Sequence, residues 1–239
     1  LHVGILYLFL SVILFVSNNR IFFRFLRLFI ILIVIWGYAF ITGLSSSVLR
    51  ASVMFSMFLI GKSFNRTVNN YNILAASALL ILVCNPMQLF RVGFQFSYLA
   101  VLGIVSFQPR IENLLIIKNP FLDRIWQLFT VSIAAQITTF PLTLYYFNQF
   151  PVYFWLSNLV VIPAVWLIMI LAVLFFIFSP IPPIASFLAI CLKGLLFMLN
   201  SAVELISYLP HAVLENIRFP KFQIMRLLLL ILILILTNS

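Results

Sequence analysis

Residues 155–178 read WLSNLVVIPAVWLIMILAVLFFIF, without one charged side chain. A hydrocarbon core of about 30 Å is crossed by roughly 20 helical residues, so this run is long enough to span a bilayer by itself. The rest of the chain has the same character. Of 239 residues, 65% are hydrophobic and 8% are charged, with a mean hydropathy of +1.24. A soluble domain is typically about a quarter charged. Composition therefore excludes a soluble globular domain, a disordered chain, a coiled coil and a disulfide scaffold. It points to an all-α polytopic transmembrane bundle, and the length leaves room for roughly eight or nine spans.

Outward from this run, further apolar stretches predict spans at 1–17, 25–41, 48–62, 73–84, 92–107, 125–147, 184–204 and 220–237. Those at 73–84 and 92–107 are short, so one or both are expected to break or to lie partly in the interface. The loops give an orientation. Arg20, Arg24, Arg27, Lys62, Arg66, Arg110, Lys118 and Arg124 fall in or beside alternate loops. The loops between them, 42–47, 85–91 and 148–154, carry only Arg91. Basic residues concentrate on the cytoplasmic side, so the first set is predicted inside. The net charge of +10 is first of all this topology signal. The alternation fails near the end. Loop 179–183 is uncharged, and 205–223 carries Arg218 and Lys221 where an outside segment is due. A re-entrant segment, or an interfacial amphipathic helix with Tyr208, Pro210, His211, Glu215 and Phe219 at headgroup level, accounts for that. Asn65-Arg66-Thr67 has the form of a glycosylation sequon, idle on a cytoplasmic loop.

The opening Leu1-His2-Val3-Gly4 runs straight into an apolar stretch. The last uninterrupted apolar run, 227–236, covers only about half a membrane. Residues 1–239 are expected to be one membrane-embedded domain, cut from a longer protein at both ends.

Polar side chains within spans are costly in a bilayer and usually face the bundle interior or a hydrated path. Arg91, Gln95 and Tyr98 share one helical face, and Gly93, Ser97 and Ala100 share roughly the opposite one. The small face suits close helix contact. Ser132, Gln136, Thr139 and Thr143 form a second polar stripe, interrupted by Pro141, which frees a backbone carbonyl. Ser186, Lys193, Asn200 and Glu204 form a third, with Lys193 near mid-span. Ser45, Ser46 and Ser47 are placed to cap a helix, with Arg50 one turn inside. The competing explanation for the neutral groups is plain interhelical hydrogen bonding.

Catalytic chemistry finds little material. The histidines are His2 and His211, and the acids are Glu112, Asp123, Glu204 and Glu215. They form no metal-binding pattern, no phosphate-cradling loop and no nucleophile–base grouping. Cys84 and Cys191 sit in apolar segments as small hydrophobes. No catalytic residue, metal or cofactor is expected, and the chain is read as a non-enzyme.

Three strings carry a resemblance. The first is Thr42-Gly43-Leu44-Ser45-Ser46-Ser47-Val48-Leu49-Arg50-Ala51. The second is Asn85-Pro86 followed by Val92-Gly93-Phe94-Gln95-Phe96-Ser97-Tyr98-Leu99-Ala100. The third runs from Gln136 through Pro141 to Phe147, then Asn158 and Pro163. In this order they resemble the membrane-embedded competence domain of the ComEC family, with Phe96 and Tyr98 where that family usually has Leu and Phe. Leu1-His2 also resembles the tail of a family string. The family carries DNA across the bacterial cytoplasmic membrane during natural transformation. The resemblance implies a multi-pass protein of that inner membrane and a single-stranded DNA channel. It also implies a surface DNA receptor and a cytoplasmic ATPase or helicase-like motor as partners. The family's OB-like and metallo-β-lactamase-like flanking domains would lie outside this chain. Gly43, Ser45, Gly93, Phe94, Ser97, Pro141 and Pro163 would be structural motif residues.

A polyanion crossing a membrane needs a hydrated path that offsets its phosphates without holding them tightly. Arg50, Arg91 and Lys193 are the candidate cations, and Gln95, Gln136 and Asn158 the candidate neutral donors. Two other classes compete. A secondary transporter for a small or lipid-linked substrate predicts one closed mid-membrane site and a matching half-repeat. A membrane scaffold predicts that the polar stripes are consumed in helix contacts. Besides the bilayer and the DNA strand, a second copy of the chain, as a homo-oligomer, is a candidate partner.

Overall fold

The computed structural model describes residues 21–64, 69–215, 217 and 220–237. The predicted span 1–17, the Leu1-His2 string, Arg20, the sequon at Asn65 and the residues Arg218 and Phe219 lie outside the described residues. The chain forms two compact units, 1–102 and 103–239.

The first unit holds α1 (Ile21–Ile41), α2 (Ser46–Ser63), α3 (Asn70–Cys84), a 3-10 turn (Pro86–Phe90) and the first half of α4 (Val92–Glu112). Ile31, Ile35 and Ala39 recur every four residues and are buried. Ile31 and Ile35 meet Leu59 of α2, with Leu28, Val48 and Phe55 around them. The Trp36 indole N–H donates to Ser56 Oγ at 3.1 Å, tying α1 to α2 by a polar bond as well. α1 ends where Gly43 (φ +68) and Leu44 (φ +52) turn left-handed, and the Thr42 hydroxyl donates back to the Tyr38 carbonyl. α3 starts on Asn69, whose side chain accepts from the Tyr71 amide, and ends on Asn85, whose side chain accepts from Met87. Pro86 then opens the 3-10 turn, where it has no amide to leave unsatisfied.

The second unit holds the rest of α4, α5 (Pro120–Phe147), β1 (Phe150–Pro151), α6 (Phe154–Phe178), α7 (Pro182–Ser207), β2 (Val213–Leu214) and α8 (Lys221–Leu236). α5 starts as the 3-10 turn does, with an Asn-Pro pair: Asn119 accepts from the Phe121 amide and Pro120 takes the first position. It supplies most of this unit's buried residues, among them Thr130, Ala134, Thr138, Pro141 and Leu144. α6 carries no charge and its only polar side chains are Ser157 and Asn158, near its start; none of its residues is fully buried. It packs most extensively on α7.

Among the described residues four helices, α4 to α7, are long and apolar enough to cross a membrane. The segments predicted as spans at 73–84 and 220–237 are apolar helices too, but shorter, and the one at 25–41 lies within the 21-residue α1. α3, at 15 residues, covers about 22 Å. The segment at 48–62 is α2, whose Arg50, Lys62 and serines lower its hydropathy.

Two details depart from an all-helical reading. β1 pairs antiparallel with β2, Phe150 opposite Leu214 and Pro151 opposite Val213. The ladder is extended by Val152 N–H to Ala212 O and Ile217 N–H to Asn148 O. Residues 208–215 are therefore a turn and a strand, not an amphipathic helix. This pairing puts the segment after α7 beside the one after α5, as simple alternation of spans requires, despite the misplaced basic residues. The connection after α5 and the first turn of α6 also pack back along α5. Phe150 packs edge-on against Phe140, and Trp155 against Phe129, about two and five turns before the helix ends.

Candidate functional site

The first two sequence strings meet in the first unit. The Arg50 side chain turns back along α2, as helical geometry favours, and its Nη1 donates to Ser46 Oγ at 3.2 Å. Gly93 lies against the guanidinium: a Cβ there would stand 3.6 Å from Nη2. Arg50 is 4% exposed, so it does not line an open wall. Ser45 occupies the N-cap position of α2, but its hydroxyl makes no capping bond.

The rest of the second string holds this corner together. Phe94 is buried with its ring centroid 4.4 Å from that of Tyr98. The Tyr98 hydroxyl donates to Ser77 Oγ at 3.2 Å, and Ser77 donates on to the Leu74 carbonyl, so α4 is bonded to α3. Gln95 Nε2 donates to the Leu89 carbonyl at 2.9 Å, fastening the 3-10 turn to α4. Ser97 is half-buried on α4. Arg91 is exposed just before α4 and does not join Arg50. The polar face of Arg91, Gln95 and Tyr98 thus serves two packing bonds and one exposed charge.

In the second unit the hydroxyls of α5 turn inward on their own helix. Ser132 donates to Leu128 O, Thr139 to Ala135 O and Thr143 to Thr139 O. Such back-bonding satisfies the hydroxyl donor without a partner helix. Gln136 is half-buried in this stripe, and Asn158 is half-buried in the second turn of α6. Pro141 is buried within α5, whereas Pro163 is exposed on α6.

The third stripe is different. Ser186, Lys193, Asn200 and Glu204 lie on one face of α7, and all four are exposed. Glu204 accepts from the Tyr208 hydroxyl at 3.2 Å. Lys193 is the twelfth of 26 residues, about 16 Å from the helix start, too deep for its stem to reach a headgroup from either end. Among the described residues no three His, Cys, Asp or Glu side chains gather as a metal site.

Reasoning from sequence missed Ser77, the partner of Tyr98. It also missed Gly103, where a Cβ would overlap Thr138 and the Ala134 carbonyl of α5. Gly103 follows Ala100 by three residues, so the stripe of small residues already contained the signal.

Fold and site together define a helical membrane protein with a buried guanidinium near one helix end and an exposed ammonium midway along another. The family model described as competence protein matches residues 1–239, and the chain belongs to the Competence protein family. ComE operon protein 3 of Bacillus subtilis (strain 168) is 32% identical over 130 residues, 53% of this chain. The match covers 15% of that relative's length. The family resemblance drawn from the three strings is therefore borne out. No solved structure matches the chain.

Proposed function

We propose that this chain is the membrane-embedded part of a DNA uptake protein and conducts one DNA strand across the bacterial inner membrane during transformation. Membership of the competence family supports the process. Within the structure, the observation that carries the conduit is the exposed stripe Ser186, Lys193, Asn200 and Glu204 on α7, a helix long enough to span. A lysine at that depth needs water or an anion, and lipid supplies neither there. A hydrated path along α7 meets that need and gives a passing phosphate one weak cationic contact. In this reading the shorter apolar helices complete a multi-pass bundle of eight or nine spans. The chain does no catalysis, a surface receptor delivers the DNA, and a cytoplasmic motor pulls the strand.

Arg50 and Gln95 fit the path less well than the sequence implied, because one is buried and the other bonded to a backbone carbonyl. These features and the back-bonded hydroxyls of α5 favour the scaffold reading for the first unit and for α5. They do not account for Lys193.

The test is DNA uptake by cells carrying the full-length protein with Lys193→Ala or Lys193→Arg. Uptake is expected to fall about tenfold or more in the alanine variant at normal membrane levels and to recover with arginine. Full uptake by the alanine variant would refute the role of this stripe.

A further inference from the structure

Among the described residues of the first unit, the most deeply buried charge has no carboxylate beside it. Arg50 is 4% exposed, and no described residue accepts a hydrogen bond from its Nε. Residues 1–102 contain seven Lys or Arg and no Asp or Glu, so no carboxylate of this unit can balance it. Two more sources of positive potential converge on the guanidinium. One is the first turn of α2, uncapped by Ser45 and reached by Nη1 through Ser46. The other is the first turn of α4, where Gly93 lies against Nη2. Helix N-termini present free amides and a partial positive charge. A buried cation beside two such ends is costly unless an anion joins it.

We propose that Arg50 and the first turns of α2 and α4 bind one phosphate-type oxyanion, the phosphodiester of an anionic phospholipid headgroup. Guanidinium and helix-terminal amides are the groups that pair with phosphate oxygens. The depth fits a headgroup: α4 has the length and hydropathy of a span, so its first turn lies at a membrane surface. The approach is open there, because Ser45, Ser47 and Gly93 are exposed and Gly93 puts no side chain over the guanidinium. The site has one buried cation, which suits one lipid phosphate. A moving strand would need a row of open contacts.

The test is native mass spectrometry of the purified full-length protein in detergent, with phosphatidylglycerol or phosphatidylcholine added. Wild type and Lys118→Gln are expected to retain one phosphatidylglycerol, and to retain phosphatidylcholine, whose phosphodiester is offset by its own ammonium, much less well. Arg50→Gln should retain it about tenfold less well. Gly93→Ala keeps the fold decidable if Arg50→Gln does not accumulate: its methyl group meets the guanidinium at ordinary contact distance, suits a helix and fills the approach. It too should retain less lipid. Undiminished retention by Gly93→Ala or by Arg50→Gln would overturn the proposal. So would displacement of the lipid by a short oligodeoxythymidylate, which would assign the site to the strand.

Discussion

A methyl group on Gly103 would overlap the Thr138 side chain and the Ala134 carbonyl, both on the buried face of α5. One of the obstructing atoms is backbone, so no rotamer change relieves the overlap. Gly103→Ala is expected to cost about 1–3 kcal/mol, checked by thermal unfolding of the purified full-length protein. Gly93→Ala should cost much less, since its nearest neighbour is the far end of Arg50 at 3.6 Å. Sequence spacing put small residues on one face of α4 but could not rank them, because the ranking depends on what lies opposite. The same limit applies to Arg50, Gln95 and Lys193. All three are polar residues at helical positions, and nothing in their local sequence says which is buried, which bonds to a carbonyl and which is bare. Those outcomes come from tertiary packing.

At the scale of elements, the starts and stops were the most legible features. The turn after α1 needs a left-handed residue, and Gly43 at φ +68 supplies it with no atom within 4 Å of a would-be Cβ. Gly43→Ala should therefore cost about 1 kcal/mol through backbone strain alone, seen as a small drop in unfolding temperature without a change in uptake. The serines after it were read as caps, and Ser45 does take the N-cap place, but Ser46 instead accepts from Arg50. The β1–β2 ladder was not legible. Two residues are too few for an alternating pattern to register, and the partners Phe150 and Leu214 are far apart in sequence. Its consequence reaches further than its size, since it places the connections after α5 and α7 side by side.

At the scale of the whole molecule, composition identified a helical membrane protein, and three ordered strings identified the family. Both readings rest on signals that accumulate along the chain. Span number is less secure in sequence because apolar character and helix length are separate quantities. Residues 73–84 are apolar enough to read as a span, yet α3 stops after 15 residues, where Asn85-Pro86 ends it. The central claim is that α7 faces a passing strand. It is tested most directly by arresting labelled DNA during uptake in cells whose full-length protein carries Lys193→Cys, then cross-linking from that cysteine. Phe176→Cys, on the exposed apolar surface of α6, is the control. The account predicts a DNA adduct at 193 and none at 176. Adducts at both positions alike, or only lipid adducts at 193, would contradict it.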